Sequence, residues 1–222
     1  MTGGALELQK EYALRFEPHR EYRQRVWQVL CSHFFARLIP PDARVLDLGA
    51  GWGEFINNIV AAERLAMDLN PETASRLAEG VRCLQHDVSL PWPLPDGSLD
   101  VVFTSNFLEH LPDKGKVQLA VTEAHRCLRS GGRLICLGPN IRFLPGAYWD
   151  FWDHHVPLSD RTICELLQLT GFSIERSVPR FLPYSMSQSS VQPPLALLRL
   201  YLAWPLAWRL LGKQFLVIGR KP

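Results

Sequence analysis

Val26, Leu30, Phe34 and Leu38 recur at every fourth position, with Trp27 and Phe35 beside them. One face of the segment from Arg20 to Leu38 is therefore apolar, which predicts a buried helix stopped by Pro40 and Pro41. Beyond the prolines the pattern changes. Short β-rich runs at 44–49, 64–69, 81–86, 99–105 and 133–138 alternate with helical stretches at 53–62, 71–79 and 114–128. In the last of these, Val117, Val121, Ala124 and Leu128 return every three or four residues. Such alternation predicts a parallel sheet covered by helices on both faces. Ser159 is placed to cap a helix running through Leu169, with Gly171 just past its end. Two further strands, near 172–178 and 214–220, bring the expected total to seven.

With 222 residues, 47% of them hydrophobic and 21% charged, the chain has the material for one sizeable core, and a disordered or collagen-like chain is excluded. A net charge of +2 is too small for a dedicated nucleic-acid binder. The sign is uneven, however: from Arg176 onward there are seven basic residues and no acid. The five cysteines are widely spaced with no C-x-x-C pair, and the opening MTGGALELQKEYALR has no apolar stretch, so a reduced, cytoplasmic setting is expected.

The segment VLDLGAGWGEF sets Gly49, Gly51 and Gly53 between a predicted strand and a predicted helix. Glycine tolerates positive φ and lets backbone approach a ligand where a Cβ would collide. A dinucleotide-binding G-x-G-x-x-G would need glycine at 54, where this chain has Glu54, so a pyrophosphate is disfavoured and a nicotinamide oxidoreductase with it. Asp68 ends the second predicted strand, where a carboxylate can accept hydrogen bonds from a ribose diol, and Asp87 ends the third. Strand ends of a parallel sheet open onto one crevice, so Asp47, Asp68, Asp87, Ser105 and Asn106 should converge there.

With VLDLGAGWG, an acid after the second strand, HDVS followed by PDGSLDVV, then SNFLEHL and GGRLICLGPN, the chain over residues 43–178 resembles the class I S-adenosylmethionine-dependent methyltransferases. The resemblance implies a Rossmann-like α/β fold, a seven-stranded mixed sheet in the order 3-2-1-4-5-7-6 with only the last strand antiparallel. It implies that Gly49, Gly51 and Gly53 wrap the methionine part of S-adenosyl-L-methionine and that Asp68, with Leu69 beside it, holds the ribose. Asp87 would bind the adenine amino group with Val88 next to the ring. Ser105 and Asn106 would lie on the methionyl side, and Asp47 would anchor the loop or reach the cofactor's amino group. The organisation expected is one domain, 1–222, with a helical lid at 1–41, the cofactor-binding core at 43–178 and an apolar basic insertion at 184–212.

The acceptor side is expected in the long loop PNIRFLPGAYWDFWDHHVPLS, with Tyr148, Trp149, Trp152 and His154 as substrate contacts. His155 and His110 are the candidates for a group that deprotonates or orients the acceptor; a bracing role is the alternative for each. No metal is expected, because neighbouring side chains in D-x-x-D-H-H share one ion poorly. The insertion, with Arg199, Tyr201, Trp204, Pro205, Trp208 and Arg209, reads either as an interfacial segment on an anionic membrane or as a lid or dimer surface. It is too interrupted to span. The expected activity is O-methylation of a small or lipid-linked acceptor such as a saccharide, polyketide or quinone-like compound, with a non-catalytic cofactor-binding protein as the alternative. Oligomeric state is left open.

Overall fold

The computed structural model describes residues 17–184 and 192–222. The part of the expected lid before residue 17, and residues 185–191 of the expected insertion, lie outside the described residues. Among the described residues the first α-helix is α1 (Arg20–His33), followed by β1 (Arg44–Leu48), β2 (Glu63–Asp68), α2 (Thr73–Arg76), β3 (Val81–Gln85), β4 (Leu99–Ser105), α3 (Lys114–Cys127) and β5 (Leu128–Pro139). It closes with α4 (Asp160–Leu169), β6 (Ser173–Val178), α5 (Leu195–Ala203), α6 (Pro205–Leu211) and β7 (Gln214–Arg220).

The sheet has the order β3-β2-β1-β4-β5-β7-β6. The first five strands in that order pair in parallel, and β7 runs antiparallel to both β5 and β6. Its central strands are buried on both faces, which is why β1 and β4 read as near-continuous apolar runs. One face packs on α3 and α4 through Val117, Val121, Ile163 and Leu167. The other packs on α1 and the 3-10 turn after it, where Trp27 and Phe35 make edge contacts with Phe103 of β4 and Phe55.

Several elements differ from expectation. The helix expected to run from Arg20 to Leu38 ends at His33, and a separate 3-10 turn follows at Phe35–Arg37. The stretch 53–62 is a succession of turns, not a helix; the Asn58 side chain takes the Glu54 carbonyl that the Asn58 amide would use in a helix, and Asn57 ties the stretch to α2. Asn58 Nδ2 donates to the Glu54 carbonyl at 2.8 Å, while Asn57 donates to Arg76 O at 3.0 Å and accepts from Ala78 N at 2.8 Å. That same clasp ends α2 at Arg76, short of residue 79. The insertion is two helices: at Trp204 the backbone leaves helical geometry, and Pro205 opens α6 at its first turn, where a missing N–H costs nothing. β5 also starts earlier than residue 133, since Leu128 pairs with Leu99 across a register shift.

Candidate active site

β1 runs into Gly49, whose amide donates to Met67 O at 2.9 Å and turns the chain across the end of β2. Gly49, Gly51 and Gly53 have φ of +70°, +54° and +75°, and a Cβ on Gly49 would collide with the Phe107 ring. Only glycine meets both demands at position 49. Asp68 clamps this loop from the neighbouring strand: Oδ2 accepts from Gly51 N at 2.7 Å and Oδ1 from Asn70 N at 2.8 Å. Thr73 Oγ1 donates to Gly51 O at 2.7 Å.

Each Asp68 oxygen keeps a lone pair, so the clamping carboxylate can still accept from a diol. Asn70 is buried and its Nδ2 has no partner among the described residues. Past β3, Asp87 Oδ1 accepts from the amide and hydroxyl of Ser89 at 2.9 and 2.7 Å. Leu69 is 44% exposed, whereas the Val88 side chain is packed into the core. A bare glycine loop, a carboxylate fixed beside it and an unsatisfied buried amide suit an adenosyl ligand carrying a ribose diol.

A cleft of about 120 Å³ opens between this loop and the end of β4. Trp27, Phe55 and Phe103 give it an apolar wall, and Asp47, Ser105 and Asn106 line it. Asn106 is the non-glycine residue with positive φ (+48°) among those described, a conformation asparagine tolerates better than most. Burial pushes Asp47 well above the usual carboxylate range, and the nearby charges of Asp68 and Glu54 push it further. Asp68 is likewise raised by burial, against its backbone hydrogen bonds. Glu54 is held by Arg23 of α1, Nη2 to Oε1 at 2.8 Å, with both side chains largely buried. In the sequence Glu54 stands only as an obstacle to pyrophosphate; its cationic partner 31 residues earlier carries no local signal.

The acceptor side is built from two loops. Glu109 and His110 lie on the short 3-10 turn Leu108–His110 after β4, and the backbone amides of His155 and Val156 both donate to Glu109 O, at 2.9 and 3.1 Å. This pinning turns the His154 ring into the cleft and leaves His155 exposed, so the position expected of His155 is occupied by its neighbour. His154 stacks on Phe151 at 4.9 Å, and its ring centroid lies 4.8 Å from that of His110. His110 Nδ1 lies 2.9 Å from Asp153 Oδ2, and Nε2 lies 4.0 Å from Glu109 Oε1. Burial opposes the charged form of His110, but the Asp153 hydrogen bond and the two carboxylates outweigh it and raise its pKa.

The aromatic contacts expected of the same loop are redistributed. Tyr148 is fully buried, donating to Val156 O and accepting from Leu158 N at 3.0 Å, so it frames the loop from behind and does not line the cleft. Trp149 and Trp152 are 51% and 90% exposed, also outside the cleft lining. Phe151, Tyr184 and Gln214 line it instead. Glu109 stands in plain view inside SNFLEHL; Gln214 and Tyr184 reach the cleft only through the antiparallel return of β7.

A sheet of this order, with a glycine loop after β1 and an acid ending β2, matches the Rossmann-like fold of solved methyltransferases. A family model described as a methyltransferase domain matches residues 46–136. A probable S-adenosylmethionine-dependent methyltransferase of Mycolicibacterium smegmatis is 29% identical over 181 residues, covering 80% of this chain and 69% of that one. A malonyl-[acyl-carrier protein] O-methyltransferase of Methylococcus capsulatus is 36% identical over 43% of this chain and 37% of its own length. Among solved structures, a putative methyltransferase of Haloferax volcanii, in complex with the Trm112 methyltransferase activator, superposes with a TM-score of 0.70 over 96% of both chains; at 16% identity it speaks for the fold alone. Residues 46–136 thus carry the likeness to a methyltransferase domain, and these similarities support an S-adenosylmethionine-dependent methyltransferase with S-adenosylmethionine as its cofactor.

Proposed function

We propose that the methyl acceptor is an oxygen of an amphiphilic, lipid-linked molecule whose head enters the cleft and whose tail lies along α1. The observation behind this reading is a second cavity, an apolar groove of about 380 Å³ between α1 and the α5–α6 pair. Leu182 and Pro183 line the groove while Tyr184, the next residue, lines the cleft. Likewise α1 gives Tyr22, Val26 and Leu30 to the groove but Arg23 and Trp27 to the cleft. A molecule with a polar end and an apolar end meets matching surfaces across one loop.

Bound against the glycine loop, the cofactor supplies an activated sulfonium methyl, so the protein's task is chiefly alignment and exclusion of water. Gly49, Gly51 and Gly53 with Asp68 hold the adenosyl side, and Asp87 lies toward the adenine. Asp47, Ser105 and Asn106 line the methionyl side. Glu109, His110 and His154 then present the acceptor oxygen from across the cleft. On α5 and α6 and at the break between them, Leu197, Leu200, Trp204, Leu206, Leu210 and Leu211 are all at least half exposed, beside exposed Arg199 and Arg209. That surface suits the interface of an anionic membrane, from which such an acceptor would be drawn. No helix among the described residues is long and apolar enough to cross a membrane.

Supplying S-adenosylmethionine labelled in the methyl group, together with either an organic-solvent extract or a water-soluble extract of cells, tests the reading. Label should pass to a species that partitions into organic solvent. His154→Ala should lower that transfer at least about tenfold with cofactor affinity unchanged, while His155→Ala should have little effect.

A further inference from the structure

The cluster across from the glycine loop has a second property. One ligand-capable atom each of Glu109, His110 and His154 lies within 4.8 Å of the others. We propose that these three residues bind a divalent transition-metal ion that holds the acceptor's oxygen in the cleft. The inference rests on the acceptor-side reading given above and states how that side works.

Three features support it. Two imidazoles and one carboxylate form a donor set that suits Zn²⁺, Mn²⁺, Fe²⁺ or Co²⁺ better than Ca²⁺. Three protein ligands leave further coordination positions, as sites that bind a substrate oxygen require, and all three residues line the cleft. The set is also held from outside. The Asp153 carboxylate meets His110 Nδ1 at 2.9 Å and its carbonyl the same nitrogen at 3.1 Å. This is the carboxylate–histidine arrangement that fixes which nitrogen is offered to an ion, here Nε2, the atom that faces Glu109. The Glu109 carbonyl carries two amides of the His154 loop, and Phe151 and Tyr148 pack on the His154 ring. The Glu109 carboxylate is 2% exposed, and among the described residues its ion-pair partner is His110, at 4.0 Å. Burial favours the neutral form of this carboxyl, and a bound cation would stabilise the ionised form instead.

The sequence expectation of no metal rests on Asp150, Asp153, His154 and His155 alone. Folding brings Glu109 and His110 to His154 from another loop, which no spacing motif encodes. A cation here would favour acceptors with two neighbouring oxygens, such as a vicinal diol, a catechol or an α-hydroxy carbonyl compound, because both could enter its coordination shell.

The test is titration of the chelator-treated full chain with Mn²⁺, Zn²⁺ and Co²⁺ at pH 7.5, read by calorimetry, by Tm, and by the visible absorption of the Co²⁺ form. Saturable one-to-one binding with a rise in Tm is expected. Glu109→Gln, nearly isosteric, and His154→Ala should each abolish it, while Asp153→Asn should weaken it about 10–100-fold. S-adenosylmethionine affinity reports folding of every variant. Cofactor binding without saturable metal binding, or metal binding that survives both Glu109→Gln and His154→Ala, would overturn the site and leave the methyltransferase assignment standing. Metal binding at these residues with no effect on methyl transfer would support the site and overturn the acceptor-side reading.

Discussion

Asp47 is 3% exposed, with Asp68 and Glu54 near enough to add to its burial, and its pKa lies well above the usual carboxylate range. A carboxyl whose folded pKa exceeds the unfolded value of about 3.9 favours folding when protonated. That contribution is fully present below the unfolded pKa and is lost as pH rises through the folded one. Once the unfolded carboxyl has ionised, as it has at neutral pH, burying this group in the fold therefore costs stability. Asp47→Asn should be the more stable protein at pH 7.5, by on the order of 1 kcal/mol or about 2–4 °C in Tm, with the difference shrinking toward pH 4. A pH series of thermal melts checks this, and the same variant should bind S-adenosylmethionine more weakly. Asp68→Ala should cost ~1.5–3 kcal/mol of cofactor binding by calorimetry, the range for charged hydrogen bonds. Residue by residue, the geometry of the glycine loop and of the strand-end acids is legible in the sequence because its demands are local: positive φ at three glycines and carboxylates where strands end. The acceptor side is not, because whether His154 or His155 faces the cleft depends on Glu109, more than forty residues away, accepting two amides of that loop.

Among the elements, α4 shows sequence and structure in agreement. Ser159 caps it, Thr162 returns the bond to the Ser159 amide at 2.8 Å, and Gly171 follows the end at φ +94°. Ser159→Ala should lower stability by about 1 kcal/mol, seen as a Tm lower by about 2–4 °C, with no change in cofactor affinity. The strands are readable for a related reason: runs buried on both faces leave a strong signal. The stretch 53–62 misleads because the helical spacing of Phe55, Ile56 and Ile59 masks two adjacent asparagines, of which Asn58 takes a backbone carbonyl of the stretch and Asn57 reaches across to α2. The break between α5 and α6 is visible as Pro205, though its extent is not: Trp204 leaves helical geometry altogether, and α5 ends one residue before it.

For the whole molecule, the acid-free end of the chain folds into β7, buried in the sheet, and into α5 and α6, whose outer side is apolar with arginines beside it. Anionic vesicles should co-sediment the protein at low salt and lose it toward physiological salt, as screening shortens to about 8–10 Å. Arg199→Glu with Arg209→Glu should remove this binding and leave cofactor affinity intact. The sheet order is legible as a whole, from motif resemblance. The groove is not, since it is formed by α1 and the α5–α6 pair, elements far apart in the chain whose shared cavity exists only after folding. The most direct measurement of the central claim is transfer of labelled methyl from S-adenosylmethionine into cell extract by wild-type protein and by Leu197→Glu/Leu200→Glu, which places charge along the groove. Label is expected in the organic phase with wild type and at least about tenfold less with the variant, at equal cofactor affinity. Label confined to water-soluble products, or equal transfer by both proteins, would contradict it.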